Sequence, residues 1–126
     1  EIMDLIWQDA LHFALTRLHY TMHWYLMNNK VVELIKRRRL QTLIHSIVYY
    51  SFDENIISDA EWSRRAKELC ELQEKYPAES KEAPLYDIFK DFNYSTGAGL
   101  VYMADDAAIG KAKYLISIQP RRKKKK

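Results

Sequence analysis

Ser58-Asp59-Ala60-Glu61 is the feature that most constrains this chain. A serine three residues ahead of a glutamate is a capping box: the hydroxyl accepts the N3 amide, and the glutamate reaches back to the serine amide. It fixes a helix start at residue 58. The stretch before it ends an apolar helical pattern at Tyr49-Tyr50, so two helices meet at a corner, and Tyr49, Tyr50, Asp53, Asp59 and Trp62 gather there. Only three glycines and three prolines occur in 126 residues, which favours long uninterrupted helices. An all-α fold of four to five helices follows, a small helical bundle with at most a token β-hairpin near residue 100.

The helices are expected at 3 to 26, 28 to 50 and 58 to 75. In the first, Met3, Trp7, Ala10, Ala14, Leu18, Met22 and Tyr25 recur at steps of three and four, and Ile6, Leu11, Phe13 and Leu15 widen that face. Glu1, Asp4, Asp9 and Arg17 interrupt it too often for a membrane span of about 20 nearly uncharged residues, so a buried helix is expected, with no membrane partner. His19 and His23 have the spacing of zinc ligands on a helix, but nothing nearby completes a tetrahedral set, and the stripe Gln8, His12, Thr16, His19, His23 reads as an ordinary polar face.

The second helix carries Val31, Val32, Leu34, Ile35, Leu40, Leu43, Ile44, Ile47 and Val48 on its apolar side. It also carries Lys36-Arg37-Arg38-Arg39, four cations in one turn. Clustered cations are what a nucleic-acid or phosphate contact needs, although four consecutive residues point all round a helix and at most two serve one site. On the third helix Trp62, Ala66, Leu69, Cys70 and Leu72 face inward. Tyr76-Pro77 ends it. Residues 78 to 83 read as a polar connector, Pro84 as the first turn of a short helix with Leu85, Ile88, Phe89 and Phe92, and residues 93 to 99 as a plain turn. Residues 100 to 103 read as briefly extended, and Asp105 starts a last helix that Pro120 stops.

One domain over residues 1 to 120 is expected, followed by a basic disordered tail at 121 to 126. The tail dominates the charge: the chain totals +3, while residues 1 to 120 hold 14 basic and 17 acidic residues, a net of −3. The single cysteine, Cys70, fits a reducing, cytoplasmic setting and reads as a buried inert thiol.

Residues 28 to 77 resemble the small N-terminal helical domain, Ia, of bacterial NAD-dependent DNA ligases. The resemblance lies in the paired aromatics Tyr49-Tyr50, Asp53, the run Ile57-Ser58-Asp59-Ala60-Glu61-Trp62-Ser63, Arg64, and the helix with Glu68, Leu69, Glu71 and Leu72. It implies that Tyr49, Tyr50, Asp59 and Trp62 form a pocket for the nicotinamide mononucleotide half of NAD, the aromatics stacking the ring and the acid holding polar groups. Trp62 stands where the family commonly has tyrosine, and Ser63 where it has aspartate, so weak NMN or NAD binding is expected, with no cofactor required. The ligases carry their adenylated lysine in a Lys-x-Asp-Gly motif, and none of the eight lysines from Lys30 to Lys113 begins one. The chain therefore reads as non-catalytic. Three roles stay open: a nicotinamide-nucleotide module; a protein-interaction module engaging a ligase or a nucleic-acid-processing or defence enzyme, as a phage accessory or counter-defence inhibitor; and a small nucleic-acid-binding protein using residues 36 to 39 and the tail.

Overall fold

The computed structural model describes residues 2 to 120, and the basic tail lies outside them. Helix α1 runs unbroken from Ile2 to Phe52. It is followed by α2 (Asp59–Lys75), α3 (Pro77–Glu82), α4 (Tyr86–Phe89), α5 (Ala98–Val101) and α6 (Asp106–Ser117), with no strand among the described residues. The all-α expectation holds, with six helices among the described residues where four to five are expected. Two further details differ.

First, the helices expected at 3 to 26 and 28 to 50 are one helix, about 76 Å long at 1.5 Å per residue. Asn28 and Asn29 are poor helix formers, but the deficit is under about 1 kcal/mol each, and with helix on both sides and no proline it is too small to break the run. Second, the segment near residue 100 is a single helical turn, α5, because no neighbouring strand is present among the described residues to pair with it.

The C-terminal half of α1 is the spine. Ile35, Leu43, Ile47 and Val48 are buried on it, and α2, α3, α5 and α6 pack around them. Ala66 and Leu69 come from α2, Phe89 from α4, Leu100 from α5, and Ala108 and Ala112 from α6. The N-terminal half has no such cover: the buried helix expected at 3 to 26 is exposed, with Trp7 at 71% and Phe13 at 68% exposure. Everything after Phe52 wraps residues 28 to 52, and no described element reaches back along the first half.

Local signals explain the boundaries. Asp53 takes a left-handed backbone, φ 51°, which aspartate tolerates better than most residues, and Glu54 N–H donates to the Val48 carbonyl at 3.1 Å to close the helix end. At Ser58 the hydroxyl accepts the Glu61 amide at 3.1 Å, as the capping box requires. The reciprocal arm is replaced, since the Glu61 carboxylate takes donors from Arg64 at 2.7 and 3.0 Å and from Arg65 at 2.8 Å. Those guanidiniums hold Glu61 down to about 2. Pro77 ends α2 and opens α3 at its first position, so the expected connector 78 to 83 is mostly helix. Pro84 precedes the next helix rather than starting it, and Leu85 at φ 68° forms the entry to α4. Asp105 caps α6 by accepting the Ala108 amide at 2.8 Å.

Candidate functional site

The α1–α2 corner encloses a cleft of about 210 Å³. Tyr49 and Tyr50, the last exposed aromatics before α1 ends, form one side, and Asp59, Trp62 and Ser63 on the first turns of α2 form the other. The four residues expected as a pocket therefore line one cavity. Asp53 is not among its lining residues; its part is the backbone turn that closes α1.

Tyr49 and Tyr50 meet edge to face, with ring centroids 4.8 Å apart at 81°. Each of the two residues is about half exposed. Trp62 is half-buried and its indole stands on the Phe92 ring at 6.3 Å and 87°, which in turn rests on Phe89 at 5.4 Å. Edge-to-face contacts of this kind fix ring planes, so Trp62 is held in place before any ligand arrives.

The third wall comes from residues 95 to 97, which sequence reading takes for a plain turn. Ser95, Thr96 and Gly97 line the cleft, and the Tyr50 and Thr96 hydroxyls are hydrogen-bonded at 2.9 Å. Asn93 organises this wall by accepting from the Ser95 amide at 3.2 Å and from its hydroxyl at 2.6 Å. Gly97 is there for space: a Cβ would run into the Ser46 hydroxyl and lie 2.9 Å from Ser46 Cβ and 3.0 Å from Trp62 Cζ2. The floor is His45 and Ser46. Ser46 donates to the Thr42 carbonyl at 2.7 Å, whereas His45 Nδ1 is buried without a partner. Burial, and then Arg65, push His45 below its ordinary 6.5, so the imidazole is neutral at pH 7.

The basic run does not make a site. Arg39 is 0% exposed and spends all five donors inside the protein: Nε on Gln73 at 2.8 Å, Nη1 on the Ala83 and Pro84 carbonyls at 3.0 and 2.9 Å, and Nη2 on the Ser80 carbonyl and hydroxyl at 2.8 and 2.7 Å. Its partners are the carbonyls at the end of α3, where the backbone dipole is negative, so no acid is needed. Arg38 turns to α2, with Glu68 at 3.3 Å and Gln41 at 3.0 Å. Lys36 lies along its own helix, 4.0 Å from Glu33. Arg37 alone of the four is fully exposed, beside an open groove at Leu26, Lys30 and Leu34. The expected phosphate cluster of Lys36, Arg37, Arg38 and Arg39 is thus dispersed over four directions, because successive helix positions are about 100° apart.

Elsewhere the chemistry is quiet. Cys70 donates to the Phe92 carbonyl at 3.3 Å, and burial, with Glu71 beside it, pushes the thiol up to about 11. His19 and His23 stack at 6.5 Å, and no group of three metal-ligating side chains forms among the described residues. No described helix is both long and apolar enough to cross a membrane. No family model matches the chain, and no curated protein or solved structure matches it either.

Proposed function

We propose that this chain is a non-catalytic module whose corner cleft binds the nicotinamide-nucleotide end of a pyridine dinucleotide, weakly and reversibly, in the manner that its resemblance to the ligase Ia domain implies. The observation that carries the reading is the convergence of Tyr49, Tyr50, Asp59 and Trp62 on one cleft, with their three aromatic rings and two carboxylates, Asp59 and Glu54, around it. An aromatic wall with two acids suits a flat cationic ring, since ring faces attract positive charge and the carboxylates add to it. Thr96, Ser95 and Ser63 supply hydroxyls for a ribose.

Size and energy both favour a fragment rather than a whole dinucleotide. The cleft of about 210 Å³ is below the roughly 300–1,000 Å³ of sites that enclose drug-sized ligands. A micromolar constant needs about 8 kcal/mol and a millimolar one about 4 kcal/mol, and a few stacked contacts with two carboxylates open to water belong nearer the second.

Calorimetry with nicotinamide mononucleotide and with NAD tests the proposal. Heat at millimolar ligand that vanishes in Asp59→Ala is the expected result. Ser63→Asp, which adds a carboxylate at the cleft edge, should tighten the mononucleotide. The absence of heat in both the native chain and Ser63→Asp would sink it.

A further inference from the structure

We infer that the N-terminal half of α1 is covered by the same half of a second copy of this chain, the two lying antiparallel. Thirteen large apolar side chains between Met3 and Met27 are at least half exposed. Five of them are aromatic, and an aromatic side chain offers about 150–250 Å². The open apolar surface is therefore on the order of 1,000 Å² per chain, above the roughly 300–600 Å² of the largest patch on an ordinary monomer. A stable interface needs about 800 Å² from each partner. One further copy of this surface meets that need.

The chemistry of the rod disfavours a lipid surface. Helices that lie on membranes carry lysine and arginine on their polar face. The polar face here is Gln8, His12, Thr16, His19 and His23, without a lysine or arginine, and Arg17 stands among the apolar positions instead.

Register and direction follow from position. Leu11, Leu15, Leu18 and Met22 are spaced by four, three and four, the repeat of a coiled-coil seam. A two-fold axis between Leu15 and Leu18 sets Leu15 against the other copy's Leu18, and Leu11 against its Met22. The same register sets Asp4 against the other copy's Asn29, next to Lys30, at the edge of the open groove formed with Leu26, Leu34 and Arg37. Asp4 lies at the start of the rod and Lys30 and Arg37 lie beyond its far end, with Glu33 between them, so antiparallel packing brings Asp4 towards a cation, while Arg17 lies at the two-fold axis. A parallel pair would align Asp4 with Asp4 and crowd the two globular bodies side by side. Antiparallel packing sets them at opposite ends. The strip Ile6, Phe13, Tyr20 and Trp24 on the other flank gives each pair a second seam, through which two pairs close into four helices.

Light scattering on the full chain tests this. The expected mass is that of two or four chains, falling to one in Leu15→Glu/Leu18→Glu, with an apparent dissociation constant raised about a hundredfold or more by two charges forced into the seam. Neither residue belongs to the buried core, so the far-ultraviolet signal of residues 28 to 120 should survive. Direction is read from disulfides in a Cys70→Ser background: Asp4→Cys/Lys30→Cys should form intermolecular dimers, and Asp4→Cys alone should not. A native chain that is monomeric overturns the inference, and so does one that is monomeric in buffer but binds neutral or anionic vesicles. Cross-linking by Asp4→Cys alone overturns the antiparallel arrangement.

Discussion

The two halves of α1 share one helix, yet they have opposite fates. Residues 28 to 52 bury Ile35, Arg39, Leu43, Ile47 and Val48, whereas every described side chain from Met3 to Met27 is exposed. Hydrophobicity does not separate them, since the exposed half is if anything richer in aromatics. What separates them is that the chain after Phe52 returns to one half only. Burial is a property of the partner as much as of the residue, and a helix apolar round most of its circumference states a demand that its own chain need not meet.

The largest break in that comparison is expected at the arginines. Arg39→Met removes five internal hydrogen bonds and leaves the Ser80, Ala83 and Pro84 carbonyls short of donors in a buried setting. It should cost about 3–5 kcal/mol, a large fraction of a domain's stability. Arg17→Met, in the exposed half, should leave the unfolding of the body within about 0.5 kcal/mol of native. Urea titrations followed through Trp62, in a Trp7→Phe/Trp24→Phe background, would measure both. Equal effects would mean that the halves are not energetically distinct.

A smaller contrast lies in the glycines. Gly97→Ala places a methyl group against Ser46 and Trp62, and should cost about 1–3 kcal/mol of stability while narrowing the cleft. Gly99→Ala meets nothing within 4 Å and should be neutral or slightly stabilising. If Gly97→Ala were silent in melting and in ligand calorimetry, the third wall would be looser than its contacts indicate.

These residues also show what can be read from sequence and what cannot. The corner was legible because its signals are local: a cap at Ser58, a turn at Asp53, and aromatics in register on both sides. The shared cleft of Tyr49, Tyr50, Asp59 and Trp62 was legible for the same reason. Thr96 and Gly97 were not, because a contact 46 residues from Tyr50 has no local signature, and one glycine in a polar turn looks like any other. His45 and Ser46 were hidden by lying among apolar neighbours. Arg39 was grouped with Lys36 by adjacency, while the helix sends them in different directions. The join at Asn28 and the exposure of the first half were misread together, since periodicity reports a face and says nothing of what covers it.

Charge linkage provides the smallest test: at two groups of the corner stability is lost as pH falls, and they differ only in where on the pH axis the loss occurs. His45 has a folded pKa below its ordinary 6.5, so the unfolded chain binds the proton first, and stability should decline as pH drops below about 6.5. Glu61 titrates near 2 in the folded chain against an ordinary 4.5, so what its arginines contribute is present above 4.5 and is lost between there and 2. Both groups sit at the corner, and neither touches the exposed half. Thermal melts from pH 7 to 3 should therefore show two declines, the first removed by His45→Gln and the second by Glu61→Gln. The Glu61 contribution should be modest, because that ion pair is open to water and screened. Melts that fell equally in the His45→Gln chain would place the upper transition elsewhere.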